Sequence, residues 1–199
     1  LALEGFKISK DLAFDCLVQT ARDNEYDPVR EYLERCRDKE PPMSIDRLAS
    51  TYLRPEDAAL PEATIYDQMI KCTMIAAVAR VFEPGCKFDN ACILMGPQGA
   101  RKSSWWKAMG GDFFSDALKD ISTKDSLMIL HRSWIMEMSE IDQVHSKKHS
   151  GEIKAFLSQS TDMFRVPYGK VTEDFPRRGI IVGSTNRHDG FLLDETGSR

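Results

Sequence analysis

Eight consecutive residues, Gly96-Pro97-Gln98-Gly99-Ala100-Arg101-Lys102-Ser103, combine glycines, a lysine and a hydroxyl in the order that polyphosphate binding calls for. They follow the apolar run Ala91-Cys92-Ile93-Leu94-Met95 and precede the helix-compatible Ser104-Trp105-Trp106-Lys107-Ala108-Met109. The expectation is a short buried strand and a turn whose glycines let backbone N–H groups close around phosphate oxygens. A helix then aims its positive N-terminal end at the same place. Lys102 is the candidate for the β and γ phosphates of ATP, the Ser103 hydroxyl for Mg²⁺, and Ser104 belongs with the nucleotide-contacting set. The pattern G-x-x-x-x-G-K-[ST] is met at Gly96, Lys102 and Ser103 and departs at Arg101, where glycine is usual.

Such a loop needs acids beside it, because Mg²⁺ on a polyphosphate takes carboxylate support and an attacking water needs a base. The strand-like Trp134-Ile135-Met136-Glu137-Met138-Ser139-Glu140 supplies Glu137 and Glu140. The assignment favoured here is Glu137 near the metal and Glu140 polarising water; the bland reading is two solvated carboxylates at a strand end. A further apolar strand, Gly179-Ile180-Ile181-Val182-Gly183-Ser184-Thr185, ends in Asn186, whose amide can orient water against a γ-phosphate. Between them, residues 161–171 read as a strand, a glycine turn and a return. There Arg165, Lys170, Arg177 and Arg178 cluster with Tyr168, which suits a nucleic-acid backbone and its bases. Asp162, Glu173 and Asp174 dilute that charge, so an ordinary salt-bridged surface stands beside the DNA reading. His145 and His149 have helical spacing for a metal pair but no third ligand nearby, and a solvated loop is the preferred reading.

The elements that must position these groups follow from periodicity. Ser9 caps a helix carrying Leu12, Ala13, Cys16 and Leu17 on one face, and Asp27-Pro28 starts a second through Val29, Tyr32, Leu33 and Cys36. A short third helix is expected from Ser44 through Tyr52. Thr64 opens a longer one, whose apolar positions from Ile65 to Val81 are broad enough to predict burial on more than one side. Beyond Gly96, strands alternate with helices, the signature of an α/β layer with a mostly parallel sheet. The division expected is a helical region over 1–84 and a P-loop ATPase core over 85–199. The chain stops behind a turn at Asp194-Glu195-Thr196-Gly197-Ser198-Arg199, and the C-terminal part of that core is expected to be missing.

With 42% hydrophobic and 29% charged residues the composition is that of a globular domain, which argues against a disordered chain. No apolar stretch approaches the roughly 20 residues of a membrane span and no leader opens the chain, so no membrane partner and a cytoplasmic location are expected. The net charge of −4 confines any nucleic-acid contact to a local patch. Five cysteines without a C-x-x-C pair read as reduced, mostly buried thiols.

Taken together, the motifs resemble the virulence-associated E family of phage- and mobile-element-encoded P-loop proteins, whose core is similar to superfamily 3 helicases of the AAA+ class. The resemblance runs from Ala79-Arg80-Val81-Phe82-Glu83-Pro84-Gly85-Cys86-Lys87-Phe88-Asp89 through Arg199, and more loosely over Val29 to Leu33. It implies an ATPase motor domain of a primase-helicase-like replication protein, with Lys102 and Ser103 in the nucleotide loop. Glu137 and Glu140 then stand as Walker B acids, and Asn186 as the γ-phosphate sensor. Lys154, Phe156, Leu157, Ser158, Asp162, Arg165, Pro167, Tyr168 and Gly169 look like the family's segment between Walker B and sensor. The same resemblance implies a pore hairpin touching single-stranded or forked DNA through Lys170 and Arg177, a homo-oligomeric ring, and Arg199 as an arginine finger acting across it. Two rival readings remain, a nucleotide-binding interaction module without turnover and a P-loop phosphotransferase. No arginine-rich lid follows the loop to support the second.

Overall fold

The computed structural model describes residues 8–118, 121, 123–138, 147–166, 169 and 171–186, and the side chains of 147–150 lie outside that description. Contacts divide the chain into two compact units, residues 1–38 and 39–199. The first holds α1 (Lys10–Asp23) and nearly all of α2 (Pro28–Lys39). Both start where side-chain chemistry dictates. The Ser9 hydroxyl accepts from the Leu12 amide, and Asp27 Oδ1 accepts from the Val29 and Arg30 amides, satisfying donors that have no carbonyl within the helix.

In the second unit, α3 (Ile65–Phe82) begins with a capping box between Thr64 and Asp67. Asp67 is fully buried and does more than cap. It also accepts from the backbone N–H and hydroxyl of Ser50 at 2.8 and 2.6 Å, pinning a π-helical turn over Ala49–Leu53 to the start of α3. That turn stands where the sequence predicts a short α-helix. Burial on more than one side of α3 is not found: Ile70, Ala77 and Val81 are buried, whereas Ile65, Met69, Ile75 and Val78 are exposed. The cysteines are free as expected but none is fully buried, Cys16 and Cys72 lying on exposed helix positions. Burial pushes the Cys92 thiol up to about 11.

The remainder is α/β. A four-stranded sheet has the order β1-β6-β3-β2, formed by β1 (Cys92–Met95), β6 (Ile180–Thr185), β3 (Ile135–Met138) and β2 (Phe114–Leu118). All three pairings are parallel, with Glu137 opposite Val182 and Leu94 opposite Ser184. Every residue of β3 is buried, as a central strand covered on both faces requires. Alternation sends Met136 and Met138 to one face. There they join Ile181, Leu130 of α5 (Lys124–Arg132) and Ile153, Phe156 and Leu157 of α6 (Lys147–Ser158). Ile135 and Glu137 point to the other face, towards α4 (Lys102–Gly110), whose Trp106 is fully buried and donates its indole N–H to the Gly183 carbonyl at 3.1 Å.

A separate antiparallel pair, β4 (Thr161–Phe164) and β5 (Glu173–Pro176), leads into β6. It is fastened by Arg177, which is 2% exposed and forks onto both carboxylate oxygens of Asp162 at 2.7 and 2.8 Å. Its other donors reach the Phe156 carbonyl and Gln159, and His131 Nε2 lies 3.0 Å from Asp162 Oδ2. Burial alone raises the Asp162 pKa, but hydrogen bonds from Arg177 and His131 outweigh it and bring it to about 2. Arg177 is therefore removed from the DNA-facing cations that the sequence suggests. Its guanidinium is spent inside, holding the hairpin to α6.

Candidate nucleotide-binding site

Because the strands run parallel, the C-terminal ends of β1, β6 and β3 open at one edge of the sheet, and the chemistry-bearing residues of the sequence converge there. β1 delivers the 96–101 loop, whose Gly96 amide donates to the Thr185 carbonyl at 3.2 Å and so ties the loop to the end of β6. Gly99 has φ +84° and Arg101, the residue before α4, has φ 58°. The departure from glycine at 101 is thus met by an arginine in the left-handed region, a conformation that costs a non-glycine residue on the order of 1 kcal/mol. No side chain caps α4, so the first-turn N–H groups at 102–104 have no carbonyl within the helix.

The Lys102 ammonium donates to the carbonyls of Gly96 at 2.9 Å and Pro97 at 3.0 Å, and to Asn186 Oδ1 at 2.8 Å. Ammonium is a donor only, which fixes the Asn186 amide with its oxygen towards Lys102. Beneath them Glu137 is 1% exposed. Its Oε1 accepts from Ser103 Oγ at 2.8 Å and from Ser184 Oγ at 2.6 Å, and Oε2 is buried with no hydrogen-bond partner among the described residues. A cleft of about 360 Å³ opens over this cluster, lined by Gly99, Arg101, Lys102, Ser103, Ser104, Ser184 and Asn186.

A family model for the virulence-associated protein E-like domain matches residues 33–199. The chain belongs to the virulence-associated protein E-like domain family. Among solved structures, the apo structure of the NrS-1 C terminal region (305-718) is similar at a TM-score of 0.42 and 18% identity, over 61% of this chain and 31% of that one. The chain thus spans about a third of the length of that region. No curated protein matches it.

This virulence-associated protein E-like domain brings Lys102, Ser103, Glu137 and Asn186 together, four residues drawn from three separate stretches of sequence. Ser184 is a member that sequence reasoning missed; its only signal was its place two residues before Asn186 on β6. Of the remaining candidates, Arg165 is exposed at the end of β4, whereas Glu140, Tyr168, Lys170 and Arg199 lie outside the described residues, as does His145. The described residues contain no group of three or more His, Cys, Asp or Glu able to hold a metal. They also contain no helix long and apolar enough to cross a membrane. The donor set that does exist, a hydroxyl and a carboxylate with one bare oxygen, is hard and oxygen-only. It fits Mg²⁺ shared with phosphate oxygens better than an all-protein metal cage.

Proposed function

We propose that this edge binds Mg²⁺·ATP as a P-loop ATPase core of AAA+ type, serving a DNA-replication motor. The observation that carries the reading is the buried Glu137 Oε2 without a partner among the described residues, on the carboxylate whose Oε1 accepts from Ser103, the residue next to the Lys102 that pairs with Asn186. A carboxylate oxygen withheld from both water and protein donors is costly unless a cation completes it. Ser103 and Glu137 would hold Mg²⁺, which supplies charge neutralisation on the phosphates when bound.

The chain's own residues do the rest. Lys102 exchanges neutral carbonyl acceptors for phosphate oxygens, an exchange favoured because a full negative charge attracts the ammonium more strongly than a carbonyl dipole does. The N–H groups at the start of α4 and the loop face the same anion. Asn186, released from Lys102, is placed to orient a water against the γ-phosphate, with Glu140 proposed as its base. Arg165, with Lys170 and Tyr168 in the following connection, is proposed to meet single-stranded or forked DNA, and Arg199 to act across a ring of identical subunits.

The test is calorimetric titration of a non-hydrolysable ATP analogue with Mg²⁺ into the full chain and its Lys102→Ala variant. The expected result is saturable binding by the wild type and a loss of at least about 100-fold in the variant, since a charge-assisted contact to phosphate is removed. A folded wild type that takes up no analogue overturns the reading.

A further inference from the structure

A second recess adjoins the polar cleft. It has a volume of about 420 Å³, within the roughly 300–1,000 Å³ of small-ligand sites, and its walls are Tyr52, Leu53, Leu94, Met95 and Trp105. The two hollows share Arg101, Lys102 and Ser104, so a ligand can pass from one to the other along the start of α4. Their chemistry differs. To the three shared residues one adds the hydroxyls of Ser103 and Ser184 and the Asn186 amide, and the other adds two aromatic rings and four aliphatic or thioether side chains, Ala100 among them.

We propose that this recess takes the nucleobase of the nucleotide whose phosphates the 96–103 loop holds, with Tyr52 and Trp105 as its ring-stacking walls. The proposal rests on the phosphate reading above. A nucleoside triphosphate is anionic at one end and a flat aromatic ring at the other, and these adjoining hollows offer that order of surfaces. Tyr52 is 58% exposed and Met95 also 58%, so apolar faces stand open to water at the very place where a ring would cover them.

The Tyr52 wall is also held in place. Ser50, two residues before it, is locked by both its backbone N–H and its hydroxyl to the buried Asp67, and Arg54 closes the turn with φ 52° and a bond from its amide to the Ala49 carbonyl at 2.9 Å. The carboxylate doing this is firmly ionised: burial opposes its charge, but the hydrogen bonds from Ser50 and Thr64 outweigh that and hold its pKa below the ordinary range. The Arg47 guanidinium adds bonds to the carbonyls of Ala58, Leu60 and Pro61, fixing the loop that follows the turn. A wall ordered beforehand loses little entropy on binding. Arg101, which replaces a glycine and lines both hollows, stands where the anionic and aromatic ends of the ligand join.

The test compares two probes, Mg²⁺ with a non-hydrolysable ATP analogue and Mg²⁺ with inorganic tripolyphosphate, on the full chain and on Tyr52→Ala, Tyr52→Phe and Trp105→Ala. The wild type should bind the analogue at least about fivefold tighter than tripolyphosphate, the lower end of what one stacked base contributes. Tyr52→Ala should remove most of that preference while leaving tripolyphosphate affinity unchanged, and Tyr52→Phe should keep it. Because Tyr52 is on the surface, its variants report on binding without endangering the fold. Tripolyphosphate binding as tightly as the analogue overturns the base recess and leaves the phosphate site standing. Equal weakening of both probes by Tyr52→Ala, or no change from either alanine variant, also overturns it. A wild type that binds neither probe removes the phosphate reading and this proposal together.

Discussion

Glu137 is held by unequal partners on its two oxygens. Ser103 and Ser184 saturate Oε1, while Oε2 is buried with no described donor. Without a cation this arrangement is a source of instability, because a buried carboxylate oxygen that gains no hydrogen bond loses its hydration for nothing in return. Glu137→Gln should therefore raise the stability of the nucleotide-free protein, by about 1 kcal/mol or roughly 2–4 °C in Tm for a chain of this size. The same change should cut the extra affinity that Mg²⁺ confers on the ATP analogue by at least about tenfold, read by titration with and without EDTA. A variant that is less stable and equally responsive to Mg²⁺ would mean that Oε2 has no cation to meet. That Lys102, Ser103 and Glu137 lie close together could be expected from the sequence, since the loop pattern and an acid-bearing strand mark them as candidates for one site. The place of Ser184 could not, because a serine on an apolar strand acquires meaning only when β6 is found lying between β1 and β3.

At the scale of elements, the helix starts were readable and the strand order was not. Ser9, Asp27 and Thr64 each cap a helix through a bond a few residues long, so the information is local. The placing of β6 between β1 and β3 depends on contacts more than forty residues apart in sequence, and periodicity carries no trace of it. One residue records how tightly that strand is inserted. A Cβ built on Gly179, just before β6, would stand 2.4 Å from the Ser133 carbonyl oxygen and 2.7 Å from that of Trp134. Both obstacles are backbone, and the Trp134 carbonyl already accepts from the Ile180 amide at 2.9 Å, so neither can swing aside as a flexible side chain would. Gly179→Ala should therefore push β6 off β3 and cost about 2–3 kcal/mol in denaturant unfolding. Because β6 carries Ser184 and leads to Asn186, the variant should also weaken binding of the ATP analogue. A stability change below about 0.5 kcal/mol would show that the close approach relaxes freely.

Across the whole of the second unit, charge is used in two ways, and the sequence could not separate them. Arg165 and Arg177 look alike in a cation-rich hairpin, yet one is exposed and the other is buried against an aspartate fifteen positions earlier. The difference lies in Asp162, which alternation on β4 turns inward beside Phe164, where Phe164 and Phe175 stack at 4.2 Å and His131 packs against both. That pairing makes the protein's stability depend on pH in a stated direction. The Asp162 pKa falls from about 3.9 in an unfolded chain to about 2 in the folded one, so the folded state binds the proton less readily. Its contribution, on the order of 2 kcal/mol, is fully present above about pH 4 and is lost as pH falls through about 2. Asp67 adds a loss of the same sign in acid, its carboxyl also being held below the ordinary range. Urea unfolding followed from pH 6 down to pH 2 should show stability flat at first and then declining below pH 4. Asp162→Asn should be less stable by about 3–5 kcal/mol at pH 6, where it leaves the Arg177 charge buried without its partner. It should also decline less steeply in acid, because the group that took up the proton is gone. A variant that matches the wild type's slope between pH 4 and pH 2 would place the acid-sensitive charge elsewhere and reduce the Asp162–Arg177 fork to a matter of packing.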